Sequence, residues 1–591
     1  MKEKQIGSSY GRQSFLQGAI ILTIGMVIVK LVGALFKVPL KYIIGEYGMG
    51  LFNVAYNFYG PIFSLATAGF PIAIARLVSH NYSLGRFNDV KSIKRISVPI
   101  FTAIGIFGTT LMMLTAPVYC INVIKNENAL MPMLALGPAI LFSCLAAIYR
   151  GYYEGLKDMY PTAVSQVVEA IIKLAAGLSL ALGILTYCER EYSANSTVFG
   201  VTMTSADNAA FATFSYAAAG AILGVTLGSV FSFLYLFIRY KRRGDGITVK
   251  MYRGAPRPRS DKVSAKLLVI TAIPIAIGSI TTNIAGLIDT TFLQSRVLSI
   301  IESSPNILID MYSGMIPQIY FDNVSTIPNF LYGCYTLSLT IYMLVPSLTQ
   351  AFGISALPSV TEAWVRGDKA EIKYSIEAVI RITALVCFPA GLGISALSKP
   401  ISSLLYGDDI STPIVSNALF ILGFASVAAA LNTPISSMLQ AVGRIDLPVK
   451  MLFAAMIIKI GVNYYLCGIP KINIMGAGVG TLLCYLFLVI GEVILLCRVT
   501  KIKIDLISTF LKPLISALFS VIAAYEVFNL ADNFLVDKRL TLLIQIIISM
   551  FFAAVTYVSF LLIFKAIDKK DVLMLPMGQK IAKTLEKYGW I

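Results

Sequence analysis

The sequence predicts an all-α polytopic membrane protein with about fourteen transmembrane helices, arranged as two six-helix pseudosymmetric lobes and an appended helix pair. Three observations predict it. Hydrophobic residues make up 57% of the 591 residues and charged residues 13%, against roughly 25% charged in soluble domains. Fourteen apolar segments reach the ~20 residues that a helix needs to cross a hydrocarbon core. Landmarks also recur about 287 residues apart. Pro71 in GFPIAIARLV answers Pro358 in ALPSVTEAWV, Pro161 answers Pro448, and Lys173 in AIIKLAAG answers Lys459 in MIIKIGVN.

The segments lie near 15–36, 50–74, 97–119, 130–150, 162–186, 209–238, 266–292, 328–355, 377–397, 413–437, 448–467, 475–497, 508–530 and 541–565. They are too long for barrel strands, so each is read as a helix. The repeat splits the first twelve into six and six. Six is even, so both copies enter the membrane in the same sense. The expected organisation is an N-lobe over 1–240, a basic inter-lobe loop over 241–265 acting as a hinge, a C-lobe over 266–500, an appended pair over 501–566 and a basic amphipathic tail over 567–591. Two insertions, Cys188–Asn208 and Ser295–Thr326, are expected to hold short helices at the outer surface.

The net charge of +17 does not point to nucleic acid. With the N-terminus taken as inside, Lys and Arg favour the inner loops by roughly four to one, which is the positive-inside pattern. Both termini are therefore expected in the cytoplasm of a multi-pass plasma-membrane protein. The loop from Arg239 to Lys262 is read as topology signal and anionic-lipid contact. The first segment is too long and too poorly flanked for a cleavable signal peptide.

Eight cysteines are scattered singly, without CxxC or Cys/His clusters, so neither a metal site nor a disulfide framework is expected. The one histidine, His80, lies at a span end and offers no proton relay. No Walker A loop, nucleophile elbow or spaced carboxylate motif appears. The expectation is a non-enzyme without cofactor, driven by an ion gradient, the membrane potential or its own substrate gradient.

Ionisable side chains inside spans are costly and face a cavity or a partner. The candidates for substrate contact are Lys30 and Lys37 in the first span, the Asn53/Asn57 stripe in the second, Glu169 and Lys173 in the fifth, Asp289 in the seventh and Lys459 in the eleventh. Glu169 and Lys173 are one turn apart and can neutralise each other. Arg76, Arg150, Glu154 and Glu362 mark inner span ends and are candidates for a gate or lobe contact, with Arg150 and Glu154 spaced for an i,i+4 pair. Glu492, in the inner part of the twelfth span, is within snorkelling reach of the interface.

The stretch VKLVGALFKVPLKYIIGEYGMGLFNVAYNFYGPIFSLATAGFPIAIARLVSH, Val29 to His80, resembles the stage V sporulation protein B group. That group belongs with the MurJ-type flippases of the multidrug/oligosaccharidyl-lipid/polysaccharide exporter superfamily. YRGYYEGLKDMYPTAVSQVVEAIIK, LYGCYTLSLTIYMLVPSLTQAFGISALPSVTEA and SSMLQAVGRIDLP are similar to it as well. A monomer is expected. The resemblance implies alternating access by two lobes and a polyprenyl-pyrophosphate-linked glycan as cargo, with the lipid-linked peptidoglycan precursor foremost. It also implies a cationic central cavity and a groove at the last two spans for the polyprenyl tail. Membrane lipids are expected as partners, with a monovalent ion as a candidate coupling ion. Lys30 matches one cationic site of the first span and Lys37 a second. The family's basic residue midway along the second span has no counterpart in Tyr59–Leu65, and Lys173 and Lys459 are inferred to supply charge instead.

Two other readings belong beside it. A flippase for another cell-wall or capsule repeat shares the same chemistry. A cation-coupled multidrug antiporter needs a deep N-lobe carboxylate, for which Glu169 is the candidate, but mid-membrane lysines repel cationic drugs. A non-transporting scaffold would tolerate loss of Lys30 or Lys173, and no nucleic-acid partner is expected.

Overall fold

The computed structural model describes residues 15–67, 69–532 and 539–566. Its contacts divide the chain into two compact units, Met1–Thr291 and Phe292–Ile591.

The N-terminal unit contains α1 (Phe15–Thr67), α2 (Gly69–Ser83), α3 (Phe87–Val118), α4 (Leu130–Gly155), α5 (Tyr160–Asn195), strands β1 (Thr197–Val198) and β2 (Val201–Thr202), α6 (Ala206–Arg243), α7 (Val249–Gly254) and α8 (Asp261–Ser303) as far as Thr291. α1 is two helices joined at Gly45, whose φ of 63° and ψ of −175° break the helical path. That combination is open essentially to glycine alone. Lys41 and Glu46 pair at 3.3 Å across the break.

The tightest packing in this unit joins α5 to α6. Gly220, Gly224 and Gly228 repeat at intervals of four on α6, the small-residue spacing that lets membrane helices approach backbone to backbone. A Cβ at Gly224 would collide with the Gly177 backbone of α5, and one at Gly228 would meet the Glu169 carbonyl at 2.7 Å. Neither position has room for a side chain.

The C-terminal unit continues with α9 (Pro305–Met311), α10 (Gln318–Asp322), α11 (Ile327–Tyr342), α12 (Leu344–Arg366), α13 (Lys369–Ala396), α14 (Ser398–Tyr406), α15 (Thr412–Ala441), α16 (Asp446–Leu466), α17 (Met475–Thr500), α18 (Lys512–Asp532) and α19 (Arg539–Ile563). Its core gathers Val360, Ile376, Ile380, Met438, Leu496 and Ala517 from α12, α13, α15, α17 and α18.

Twelve helices among the described residues have the length and hydropathy to cross a bilayer. They coincide with the third to fourteenth expected segments, and the first two lie on either side of Gly45. The chain is a multi-pass helical membrane protein. Two of the three pairs of repeat landmarks fall at matching places. Pro161 and Pro448 stand in the first turns of α5 and α16, and Lys173 and Lys459 are each the fourteenth residue of those helices.

One local expectation needs correction. The insertion at 295–326 does carry the short helices α9 and α10, but the one at 188–208 extends α5 and closes with an antiparallel β1–β2 hairpin. Glu191 fixes that turn by accepting from Thr197 Oγ1 and from the backbone N–H groups of Phe199 and Gly200. The loop after α6 is tied to α3. Asn88 Nδ2 donates to the carbonyls of Tyr252, Ala255 and Pro256, and Asp89 accepts from the Arg259 N–H at 2.6 Å. Arg95 pairs with Asp261 at 2.8 Å.

The division between units falls inside α8 rather than at this loop. Polar side chains of α1 find their partners on α8: Asn57 Nδ2 donates to Thr290 Oγ1 at 2.9 Å, and Asn283 Nδ2 donates to Ser64 Oγ at 2.7 Å. The amphipathic tail expected at 567–591 lies outside the described residues.

Candidate functional site

A cavity of about 330 Å³ opens within the N-terminal unit between α1, α4, α5 and α6. Its lining includes Lys30, Phe36 and Tyr56 from α1, Arg150 from α4, and Gln166, Glu169 and Lys173 from α5. Three cationic side chains therefore share with one carboxylate a wall whose other residues are mostly apolar, such as Met26, Val29 and Val225. Its volume is at the lower end for ligand sites, the scale of a headgroup rather than a whole glycolipid.

Each polar side chain reaches the cavity from a predominantly apolar helix. Lys173 sits midway along α5, where Gly177 one turn later brings the helix against the Phe36 ring. Its Nζ donates to Tyr56 Oη at 2.8 Å and lies 4.8 Å and 5.2 Å from the centroids of Tyr56 and Phe36. Two aromatic rings flank the ammonium, an arrangement that attracts a cation. Among the described residues no carboxylate stands within ion-pair distance of it. Lys30 is exposed on the cavity wall, and Lys37 lies near enough to Lys173 for the two ammonium groups to repel.

The pairing of Glu169 differs from the expected one. Its Oε2 accepts from Arg150 Nη2 at 2.7 Å, and Arg150 also donates to Ser165 Oγ and Ser232 Oγ at 2.9 and 2.8 Å. Arg150 thus belongs to the cavity and not to an i,i+4 pair with Glu154, which is half-buried on α4. The helix-on-helix packing of α4, α5 and α6 decides this, because it carries Glu169 and two serines into the reach of the guanidinium.

The remaining candidates stand elsewhere. Asn53 Nδ2 donates to the Met49 carbonyl one turn back, and Asn57 serves the α1–α8 contact. Asp289 is buried on α8 at 4% exposure. Neither these three nor Lys37 lines the cavity. Lys459 is buried on α16 in the C-terminal unit, one turn from the equally buried Asn463. Arg76 is exposed on α2, and Glu362 pairs with Arg366 on the surface of α12. Sequence reasoning missed Ser165, Ser232 and Gln166, whose small polar side chains give no signal until helix packing is known.

The comparisons with known proteins agree with this architecture. Residues 15–364 match the family described as polysaccharide biosynthesis protein, and 331–465 match the MatE family. The chain belongs to the polysaccharide biosynthesis protein family. It is 25% identical over 483 residues to the lipid II flippase MurJ of Bacillus subtilis (strain 168), covering 80% of each chain. It is 22% identical over 476 residues to the stage V sporulation protein B of the same organism, covering 79% of this chain and 80% of that one. Among solved structures, a lipid II flippase MurJ in an inward closed conformation superposes with a TM-score of 0.61 at 16% identity, covering 92% of this chain and 98% of the other. An inward-facing multidrug resistance MATE family transporter of the MOP superfamily gives 0.57 at 12% identity, covering 82% and 99%. These superpositions establish a fold shared by flippases and multidrug transporters.

Proposed function

We propose that the chain is a flippase that carries a polyprenyl-pyrophosphate-linked glycan from the inner to the outer leaflet by alternating access. The lipid-linked peptidoglycan precursor, lipid II, is the proposed cargo, in line with what the 25%-identical Bacillus subtilis relative is named for. Both termini lie in the cytoplasm in this scheme, on the side of the basic loops. The observation that carries the reading is the cavity of three cations and one carboxylate set into a membrane-spanning unit.

A diphosphate brings about two negative charges into a region where an uncompensated ion is prohibitively costly. Lys30 and Lys173 meet it as point charges, without the bidentate geometry that arginine imposes. Arg150 is held by Glu169 and the two serines and becomes available when phosphate oxygens replace the carboxylate. Exchanging one anionic partner for another keeps the guanidinium paired throughout. An inside-negative potential of 100 mV favours outward movement of two charges by roughly 4–5 kcal/mol, enough to drive transport without ATP.

The multidrug antiporter reading fits the cavity less well. Its essential carboxylate would be Glu169, which Arg150 already neutralises, and the cationic excess around it repels cationic drugs.

The test is flipping of a fluorescent lipid II analogue by the purified protein in proteoliposomes, with and without an imposed potential. Lys30→Ala and Lys173→Ala are expected to slow flipping at least about tenfold, equivalent to ~1.4 kcal/mol. Undiminished rates in both variants would refute the assignment, as would a wild-type rate equal to that of protein-free vesicles.

A further inference from the structure

Glu492 of α17 is 1% exposed, far from the snorkelling position its sequence location suggests. Its Oε2 accepts one hydrogen bond, from Ser436 Oγ of α15 at 2.7 Å. Among the described residues no cation lies within ion-pair distance of it. An ionised carboxylate with a single hydroxyl donor in such surroundings is strongly disfavoured. Asn432, one turn before Ser436 on the same face of α15, has a buried Oδ1 that receives no hydrogen bond. A carboxylic acid O–H on Glu492 is the kind of donor this pair of acceptor groups lacks.

The neighbouring helices offer no other explanation for the charge. α15 carries no ionisable side chain. On α16, Asp446 and Lys450 pair with each other at 2.8 Å near the surface, and Lys459 lies more than two turns further along. On α13, which shares the core with α17, Glu377 pairs with Lys373 and accepts from the Asp505 N–H, and the buried Arg381 makes no ion pair with Glu492. On α18, Lys512 donates to the Lys565 carbonyl.

We propose that Glu492 is a reversible proton-binding site of the C-terminal unit. It keeps a proton on its second carboxyl oxygen while surrounded by packed helices and releases that proton to water when the surface between α15 and α17 is wetted. The Ser436 hydroxyl then stabilises the carboxylate that remains. The site is separate from the cationic cavity and independent of which glycan the protein carries.

The experiment treats the full-length protein in lipid nanodiscs with dicyclohexylcarbodiimide, which modifies protonated carboxyls in apolar surroundings, and locates the adduct by peptide mass spectrometry. The expected result is an adduct on Glu492 whose formation falls about tenfold per pH unit above a midpoint and is absent in Glu492→Gln. Ser436→Ala removes a hydrogen bond to the charged form and moves the midpoint upward by about half to one pH unit. An unmodified Glu492 at every pH overturns the proposal. So does a rate that ignores pH but is suppressed by sodium or potassium chloride, which would mark a cation site instead. The wild-type protein alone gives the deciding reading, so a variant that folds poorly leaves the test intact. The measurement needs no glycolipid and stands or falls apart from the flipping assay.

Discussion

Arg150 Nη2 stands 2.7 Å from Glu169 Oε2, tying α4 to α5 at the wall of the cationic cavity. The pair is asymmetric in what its loss exposes. Arg150→Gln leaves a partly buried carboxylate without a cation, and thermal unfolding should report a loss of about 1–3 kcal/mol. That is below the 3–5 kcal/mol typical of deeply buried pairs, because the side chains are 20% and 33% exposed. Glu169→Gln keeps an acceptor for Arg150 and raises the positive excess of the cavity. Calorimetry should show tighter binding of inorganic pyrophosphate, by about tenfold for one freed charge, at nearly unchanged stability. Equal destabilisation by the two variants would contradict this account.

Lys173 depends on Tyr56 for both a hydrogen bond and a ring face. Tyr56→Phe keeps the ring and should cost no more than about 1.5 kcal/mol. Tyr56→Leu removes both and should leave Lys173 more open to acylation by a membrane-permeant amine reagent, read by mass spectrometry. An unchanged acylation rate would mean that Phe36 alone shields the amine.

The glycine contacts make opposite predictions for two positions on the packed helices α5 and α6. Gly224→Ala forces a methyl group into the Gly177 backbone and should destabilise by about 1–3 kcal/mol. A Cβ at Gly183 meets nothing within 4 Å, so Gly183→Ala should be neutral or stabilising by up to ~1 kcal/mol. Melting curves of the two variants in one detergent decide the matter.

Tyr252 in the fastened loop donates to Asp245 Oδ2 at 3.1 Å. Burial and then the Asp245 carboxylate push its phenol up from the ordinary tyrosine value. Its contribution to holding the loop is therefore complete below pH ~10 and is lost as pH rises through the elevated value. Asp245→Asn should move the phenol back toward the ordinary range, measured as phenolate absorbance relative to Tyr252→Phe. No movement would exclude the carboxylate as a cause.

Much of this architecture is legible in the sequence, and the reasons for the remainder are physical. Long apolar segments have few alternatives to spanning helices, so the segments and the matching positions of Lys173 and Lys459 could be read directly. Lys30, Glu169 and Lys173 stood out because charge is conspicuous among Leu, Ile and Val. The partner of Arg150 did not. Spacing offers Glu154 one turn away, and only the packing of α4 on α5 brings Glu169 closer. The spacing of Gly220, Gly224 and Gly228 carries no signal until the fold shows which helix it fits. The hairpin after α5 is too short to leave a periodic trace.

The glycine seam has a mechanical consequence. With main chain lying against main chain, α5 has no cushion of side chains in which to roll or slide past α6. Lys173 and Glu169 therefore cannot be repositioned by twisting their own helix. Displacement of these charges must move the welded α5–α6 pair as a solid piece.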